Sequence, residues 1–204
     1  METINYIIDY FNNFYGMLEL FGSISSLICV YLAAKHNIWT WFWGTIGVIC
    51  FGVLFYEYRL YSDTILQLVY FLPMQYFGYK LWQEVRNWDQ THVVLLKAST
   101  FKLHLFLIVV LAASTGYFMH NVLEANKSYP DALLAWLSVF GQFYLNRQYL
   151  QSWFLLIAVD VIGIWVYFTS ELYITAALYV IFLIMACFGA IRWTSIYIRK
   201  QSNV

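Results

Sequence analysis

Long apolar stretches separated by short polar segments run along this chain from residue 17 to residue 193. A membrane-spanning helix needs about 20 mostly apolar residues. Trp and Tyr cluster at many ends of these stretches, as anchoring in the membrane interface requires. The pattern predicts seven transmembrane helices, over residues 17–34, 39–56, 63–82, 103–119, 131–145, 152–168 and 172–193.

The composition supports a membrane protein. Hydrophobic residues make up 62% of the chain and charged residues only 11%, whereas a soluble domain carries about 25% charged residues. The 11 basic residues balance the 11 acidic ones, so there is no general attraction to nucleic acid. Residues 4–15 carry apolar side chains at helical spacing, which predicts an amphipathic helix in the interface.

The basic residues lie mostly on one side of the predicted membrane. The side opposite the C-terminus holds only Arg59 and Lys127. Because basic loops stay in the cytoplasm, the chain is predicted to cross a bacterial inner membrane with its N-terminus outside and its C-terminus in the cytoplasm. The basic residues on the C-terminal side are Lys35, Lys80, Arg86, Lys97, Lys102, Arg147, Arg192, Arg199 and Lys200.

One pattern of aromatic and small residues occurs twice in the sequence. Three motifs recur in the same order: Trp41-Phe42 as Trp153-Phe154, Leu60-Tyr61 as Leu172-Tyr173, and Gly78 with Trp82 as Gly189 with Trp193. The first two offsets are 112 residues and the third is 111. Chance similarity between aromatic-rich helices is the alternative, but order and spacing hold across the whole segment.

The duplication defines the predicted architecture. Repeat 1 covers about 17–82, a linking helix about 103–119, and repeat 2 about 131–193. A unit of three spans repeats in the same orientation only if one extra helix crosses between the copies. We predict an all-α integral membrane protein with seven transmembrane helices, a 3+1+3 arrangement of two parallel repeats within a single transporter domain, 1–204. Paired repeats of this kind form a substrate site at their interface.

Asp160 is the one ionisable residue deep within a predicted span. It lies eight residues past Ser152, which is about 12 Å along a helix and near the bilayer midplane. A carboxylate at that depth is costly and faces a partner, a cavity or a substrate. Its counterpart in the first copy is Val48, so the charge is not part of the shared scaffold. A protonated or hydrogen-bonded structural Asp is the alternative.

Helical spacing builds a stripe around Asp160. Aromatic planes below and above the acid suit a flat cationic ring that is stacked and charge-balanced. Packing between helices is the alternative for such a stripe. Its members are Trp153 at i−7, Leu156 at i−4, Gly163 at i+3 and Tyr167 at i+7.

Polar amides occupy two other spans. Gln67 and Gln75 lie in the third span, and Gln142 and Asn146 are i, i+4 in the fifth. We predict that Gln67 and Gln142 contact the neutral part of a ligand and that Asn146 lies at the cytoplasmic mouth, whereas hydrogen bonding between helices is the alternative. Pro73 frees backbone carbonyls in the third span or produces a passive kink. Tyr70 and Trp43 complete the predicted substrate-binding set.

The sequence lacks the residues that several other functions require. The four His residues form neither an HExxH motif nor a carboxylate cluster, so no metal site is predicted. A retinal photoreceptor needs a Lys in the last helix, and residues 172–191 contain none. Asp160 has no ionisable partner at its depth, so we predict no catalytic residues, no enzyme activity and no cofactor. The oligomeric state stays open, with a homo-oligomer possible.

Several segments in both halves carry a family resemblance: Thr40-Trp41-Phe42-Trp43-Gly44, Leu60-Tyr61-Ser62-Asp63, Leu66-Gln67, Tyr76-Phe77-Gly78-Tyr79-Lys80-Leu81-Trp82, Asn146-Arg147-Gln148, Trp153, Leu172-Tyr173 and Trp193. Through them nearly the whole chain resembles the PnuC vitamin transporters. The resemblance implies facilitated diffusion of nicotinamide riboside, thiamine or riboflavin, bound between the repeats near the midplane. It also implies that a cytoplasmic kinase traps the vitamin by phosphorylation.

The sixth span departs from the pattern that the resemblance implies for nicotinamide riboside. That pattern is Trp-x-x-Trp-x-x-x-Asn, and here it reads Trp153, Leu156 and Asp160. Asp160 suits the aminopyrimidine or the thiazolium cation of thiamine better than a neutral Asn would. We therefore predict a carrier of the thiamine type, the PnuT branch, with nicotinamide riboside as the alternative and riboflavin, which is neutral, as the second alternative.

Overall fold

The structure, a computed structural model, describes residues 14–57, 64, 66–86, 92–123, 128–169 and 173–202. These residues form seven helices, and a π-helical segment, Leu66–Phe71, runs directly into the third of them. Most of the predicted interfacial helix, 4–15, lies outside the described residues. The helices are α1 (Phe14–Ala34), α2 (Thr40–Glu57), α3 (Leu72–Arg86), α4 (Ala98–Leu123), α5 (Ser128–Asn146), α6 (Gln151–Thr169) and α7 (Tyr173–Ser202).

The predicted all-α fold with seven helices is confirmed within these described ranges. The largest difference is at the C-terminus, where α7 continues past the predicted end at Trp193 to Ser202 and reaches 30 residues. At 1.5 Å per residue this helix is about 45 Å long, whereas the hydrocarbon core is about 30 Å thick. The helix is therefore longer than the apolar layer is thick, and its last turn carries Arg199 and Lys200.

Several helices have the length and composition of membrane spans. In the part of the chain that the structure describes, three helical stretches are long and apolar enough to cross a membrane, Phe14–Ala34, Ala98–Asn121 and Ala176–Ser202. Two further apolar stretches, Thr40–Leu54 and Gln151–Val166, are shorter.

The chain divides into two compact units, with the boundary between Gln83 and Glu84. In the first unit α1 packs on α2, and α2 contacts the π-helical segment. In the second unit α4 packs on α5, α5 on α6 and α6 on α7. The linking helix α4 thus packs with the second copy, through a core cluster of Ile108, Leu137, Tyr144, Leu155 and Val159. The single domain 1–204 stays a prediction.

The turns that join α1 to α2 and α5 to α6 have the same geometry. Each has one residue in the left-handed region, His36 at φ 56° and Gln148 at φ 58°, where a helix C-terminus is closed by the Schellman pattern. Three backbone hydrogen bonds of the first turn recur 112 residues later in the second. In the first turn they are His36 N to Ala33 O (2.9 Å), Asn37 N to Leu32 O (2.9 Å) and Thr40 N to Asn37 O (3.0 Å). In the second turn they are Gln148 N to Leu145 O (3.0 Å), Tyr149 N to Tyr144 O (3.0 Å) and Ser152 N to Tyr149 O (3.0 Å).

The π-helical segment explains why the offset between the copies changes from 112 to 111. A π-bulge is a helical turn widened by one inserted residue. The segment Leu66–Phe71 lies between the Leu60-Tyr61 motif, offset 112, and the Gly78 motif, offset 111. The first copy therefore holds one extra residue, and this residue is accommodated in the widened turn.

Candidate functional site

The repeated motif builds the packing of the first unit. Trp41 is only 2% exposed, and its ring meets Trp82 edge to face, with centroids 5.1 Å apart and an interplanar angle of 88°. A Cβ atom on Gly78 would overlap the Trp41 ring. Glycine is thus required at this position because an aromatic ring lies against its backbone.

The second unit repeats this arrangement. Trp153 is fully buried, meets Trp193 edge to face at 5.5 Å and 81°, and lies where a Cβ on Gly189 would be. In this structure the Trp153 ring is therefore occupied by packing. Stacking of Trp153 on a substrate stays a prediction, and it would require the ring to leave Gly189.

Asp160 is buried in α6 at 6% exposure. None of the side chains that the structure describes forms an ion pair or a hydrogen bond with its carboxylate. A buried charge without a protein partner is costly. That this carboxylate binds a substrate stays a prediction.

A tyrosine that the sequence reasoning missed lies on the Asp160 face of α6. Gly163, one turn beyond Asp160, is covered by the ring of Tyr179 from α7, which a Cβ at Gly163 would overlap. The glycine at i+3 was the available signal, since a glycine facing a neighbouring helix permits close approach of a large side chain. The side chain of Tyr167 lies outside the described part of the structure.

The two amides of α5 pair with each other. Gln142 Nε2 donates to Asn146 Oδ1 at 3.2 Å, and Asn146 is 2% exposed. This hydrogen bond joins positions i and i+4 of one helix. It is therefore not a hydrogen bond between helices, and contact of Gln142 with a ligand stays a prediction. The hydrogen bond leaves one N–H of the Gln142 amide and its carbonyl oxygen for other partners.

Three predicted residues lie in the first unit. Gln67 and Tyr70 are both in the π-helical segment and are partly buried. Such segments are frequent at functional sites, because the widened turn leaves backbone groups outside the regular helical pattern. Pro73 follows one turn later and has no N–H to donate back into this segment. Trp43 in α2 is partly buried and contacts Phe42 edge to face at 5.7 Å.

Gln75 is a buried amide that the predicted set omitted. It is 6% exposed, and its Oε1 has no hydrogen-bond partner among the described residues. The same oxygen lies where a Cβ on Gly44 would be. Spacing alone does not distinguish Gln75 from Gln67, since both lie in one span.

The predicted site residues thus fall into two groups. Those in the first unit are Trp43, Gln67 and Tyr70; those in the second are Gln142, Asn146, Trp153, Asp160 and Tyr167. Their meeting between the repeats stays a prediction. Among the described residues, apolar helices in duplicated units carry one buried carboxylate and several buried amides, a combination typical of a membrane-embedded transporter of small molecules.

Comparison with known proteins narrows this class. Residues 16–195 match the family described as nicotinamide mononucleotide transporter. The nicotinamide riboside transporter PnuC of Haemophilus influenzae is 27% identical over 190 residues, which cover 91% of this chain and 82% of that protein. The corresponding protein of Escherichia coli is 22% identical over 202 residues, covering 86% of this chain and 84% of the relative.

A solved structure has the same fold. It is the crystal structure of the vitamin B3 transporter PnuC, which is similar to this chain with a TM-score of 0.74 and 20% identity, over 94% of this chain and 86% of the other. The chain belongs to the nicotinamide mononucleotide transporter family, and the resemblance to the PnuC transporters is confirmed. The protein is a membrane transporter and not an enzyme.

Proposed function

We propose that this protein carries nicotinamide riboside across the membrane by facilitated diffusion. The observation that carries this proposal is the likeness of nearly the whole chain to relatives that are named nicotinamide riboside transporters. Asp160 adds a buried carboxylate with no partner among the described side chains. Nicotinamide riboside has a flat pyridinium ring with a positive charge. A carboxylate at the membrane midplane balances that charge where no water is available to do so.

Thiamine is the second candidate, and the sixth span favours it. Leu156 and Asp160 stand where the nicotinamide riboside pattern has Trp and Asn. An ionised carboxylate accepts a charge-assisted hydrogen bond from an aminopyrimidine or balances a thiazolium. Riboflavin is third, because it is larger and neutral and makes no use of a buried charge.

Within this proposal the substrate lies between two parallel repeats, which rock against each other to open the site to either side. Asp160 holds the cationic ring, and Gln67, Tyr70 and Gln142 contact the remainder of the vitamin. The helices span a bacterial inner membrane, with the N-terminus outside and the C-terminus in the cytoplasm. A cytoplasmic kinase would then phosphorylate the vitamin and trap it. Assembly into a homo-oligomer is compatible with this arrangement.

The test is a parallel titration of purified protein with nicotinamide riboside, thiamine and riboflavin, followed by intrinsic tryptophan fluorescence. The chain has nine Trp residues, so a bound aromatic ring is expected to quench emission. Saturable quenching by nicotinamide riboside alone supports the first proposal, and quenching by thiamine alone supports the second. Uptake of the bound vitamin into proteoliposomes then separates a carrier from a receptor.

A further inference from the structure

A short segment before α4 is fastened to the turn between α5 and α6. We call this segment, residues 92–97, the strap. Val94 N donates to Gln148 O at 3.1 Å, and Leu150 N donates to Val94 O at 2.9 Å, which makes an isolated parallel bridge between Val94 and Tyr149. Val93 beside it is buried, with 2% exposure.

The side chain of Gln151 completes the fastening. Leu96 N donates to Gln151 Oε1 at 3.0 Å, and Gln151 Nε2 donates to Leu96 O at 2.9 Å. Gln151 is 7% exposed, and its one amide satisfies both backbone groups of the partly buried Leu96. Glutamate at this position would lack the donor, because a carboxylate only accepts.

The strap links the start of α4 to the start of α6. Val94 lies four residues before Ala98, the first residue of α4. Gln151 is the first residue of α6, the helix that carries Asp160. Gln151 therefore ties the start of α4 to the start of α6. In the first copy the corresponding residue, 112 places earlier, is Trp39, which is 60% exposed and has no amide to offer.

We propose that Gln151 is a positioning residue that makes α4 follow the second copy as one body while the carrier changes conformation. The proposal rests on the proposed carrier function. If the repeats rock, α4 must move with one of them, and four hydrogen bonds plus the shared core place it with α5 to α7. The strap itself then does not move relative to the turn.

The first experiment replaces Gln151 with Ala and measures binding and transport separately. Losing two buried hydrogen bonds is expected to lower the initial uptake rate about tenfold while the vitamin's Kd in detergent changes less than about twofold. Gln83→Ala, which removes an exposed amide of α3, is the matched control. A residue with a purely structural role would lower thermal stability and impair binding and transport together, and that result would overturn the proposal.

The second experiment joins the strap to the turn by a disulfide bond. Val94→Cys and Tyr149→Cys place two thiols on the paired residues of the bridge, and the added Cys187→Ser change removes an exposed native thiol. Oxidation with diamide is expected to leave uptake within about twofold and to rescue the Gln151→Ala rate, because paired strand residues lie within disulfide reach. Loss of uptake on oxidation, with recovery on reduction, would overturn the proposal, because it would mean that the strap must separate from the turn.

Amide hydrogen exchange tests the strap without any vitamin. The amides of Val94, Leu96 and Leu150 are expected to exchange slowly in the parent protein and at least about tenfold faster in Gln151→Ala. Equal exchange in both would overturn the role of Gln151. If the parent protein carries none of the three vitamins, the proposed function fails. The exchange measurement still tests whether Gln151 holds the strap on the turn, because it needs no transport.

Discussion

The ammonium nitrogen of Lys35 lies 4.4 Å from the centre of the Tyr31 ring. The second copy repeats the arrangement 112 residues later, with the Arg147 guanidinium 5.1 Å from the centre of the Phe143 ring. Each cation follows the last turn of a helix and lies over an aromatic residue of that turn. Cations and aromatic rings are typical of the membrane interface, so both turns have the chemistry of such an interface. That this is the cytoplasmic one stays a prediction.

The first prediction concerns orientation. Gln201 in the last turn of α7 is exposed. Gln201→Cys, in a Cys187→Ser background, is expected to react with a membrane-impermeant maleimide in inside-out vesicles and to stay unlabelled in right-side-out vesicles, because the basic end of α7 stays in the cytoplasm. Labelling in right-side-out vesicles alone would place the C-terminus outside and contradict the predicted topology.

The second prediction concerns the duplicated glycines. Gly189→Ala puts a methyl group into the Trp153 ring, and overpacking of this kind costs about 1–3 kcal/mol of unfolding free energy. Gly78→Ala is expected to do the same through Trp41. The measurement is thermal unfolding in detergent.

Gly141→Ala is the control for the glycine variants. Its added Cβ would meet the flexible end of Leu156 at 3.3 Å, so the loss should be smaller. Equal unfolding temperatures for Gly141→Ala and Gly189→Ala would show that the tryptophan contact does not limit stability.

The third prediction concerns the hydrogen bond between His104 Nδ1 and the Tyr144 hydroxyl, which joins α4 to α5 at 2.7 Å. Tyr144 has no exposed surface. Tyr144→Phe keeps the ring but leaves His104 without this partner, at a cost of about 0.5–1.5 kcal/mol. Tyr117→Phe, which changes a hydroxyl on a 64% exposed residue of α4, is expected to unfold like the parent.

The fourth prediction concerns Asp160. Asp160→Asn keeps the size of the side chain and removes its charge. The nicotinamide riboside pattern has Asn here together with a second Trp, which this chain replaces by Leu156, so we expect its site to depend on the charge. Affinity for a cationic vitamin is expected to fall about tenfold or more, because a buried charge pair lacks screening by water, while affinity for an uncharged dihydropyridine analogue should change little. Binding is measured by tryptophan quenching.

Asp131→Asn, which removes an acid from the first turn of α5, is the control for Asp160→Asn. An equal loss of affinity for the charged and the uncharged ligand would mean that Asp160 acts through packing and not through its charge. Unchanged affinity for both ligands would remove Asp160 from the site.

The helices, the duplication and the family could be predicted from the order of the residues alone. Span length and apolar composition are properties of consecutive residues, so the predicted spans needed no tertiary information. The lone acid Asp160 was found in the same way, because an ionisable residue in an apolar stretch stands out locally. The change of offset from 112 to 111 was visible too, although its cause, the widened turn at Leu66–Phe71, was not.

The contacts of the individual side chains could not be predicted in this way, because they depend on the packing of distant segments. Trp153 looked like a stacking platform from helical spacing, but its ring lies on Gly189 and Trp193 of another helix. No local pattern singles out Gln151, but it binds Leu96, 55 residues away. Helix periodicity fixes which residues share a face, whereas the partner of that face depends on how distant segments pack, and no local pattern encodes that choice.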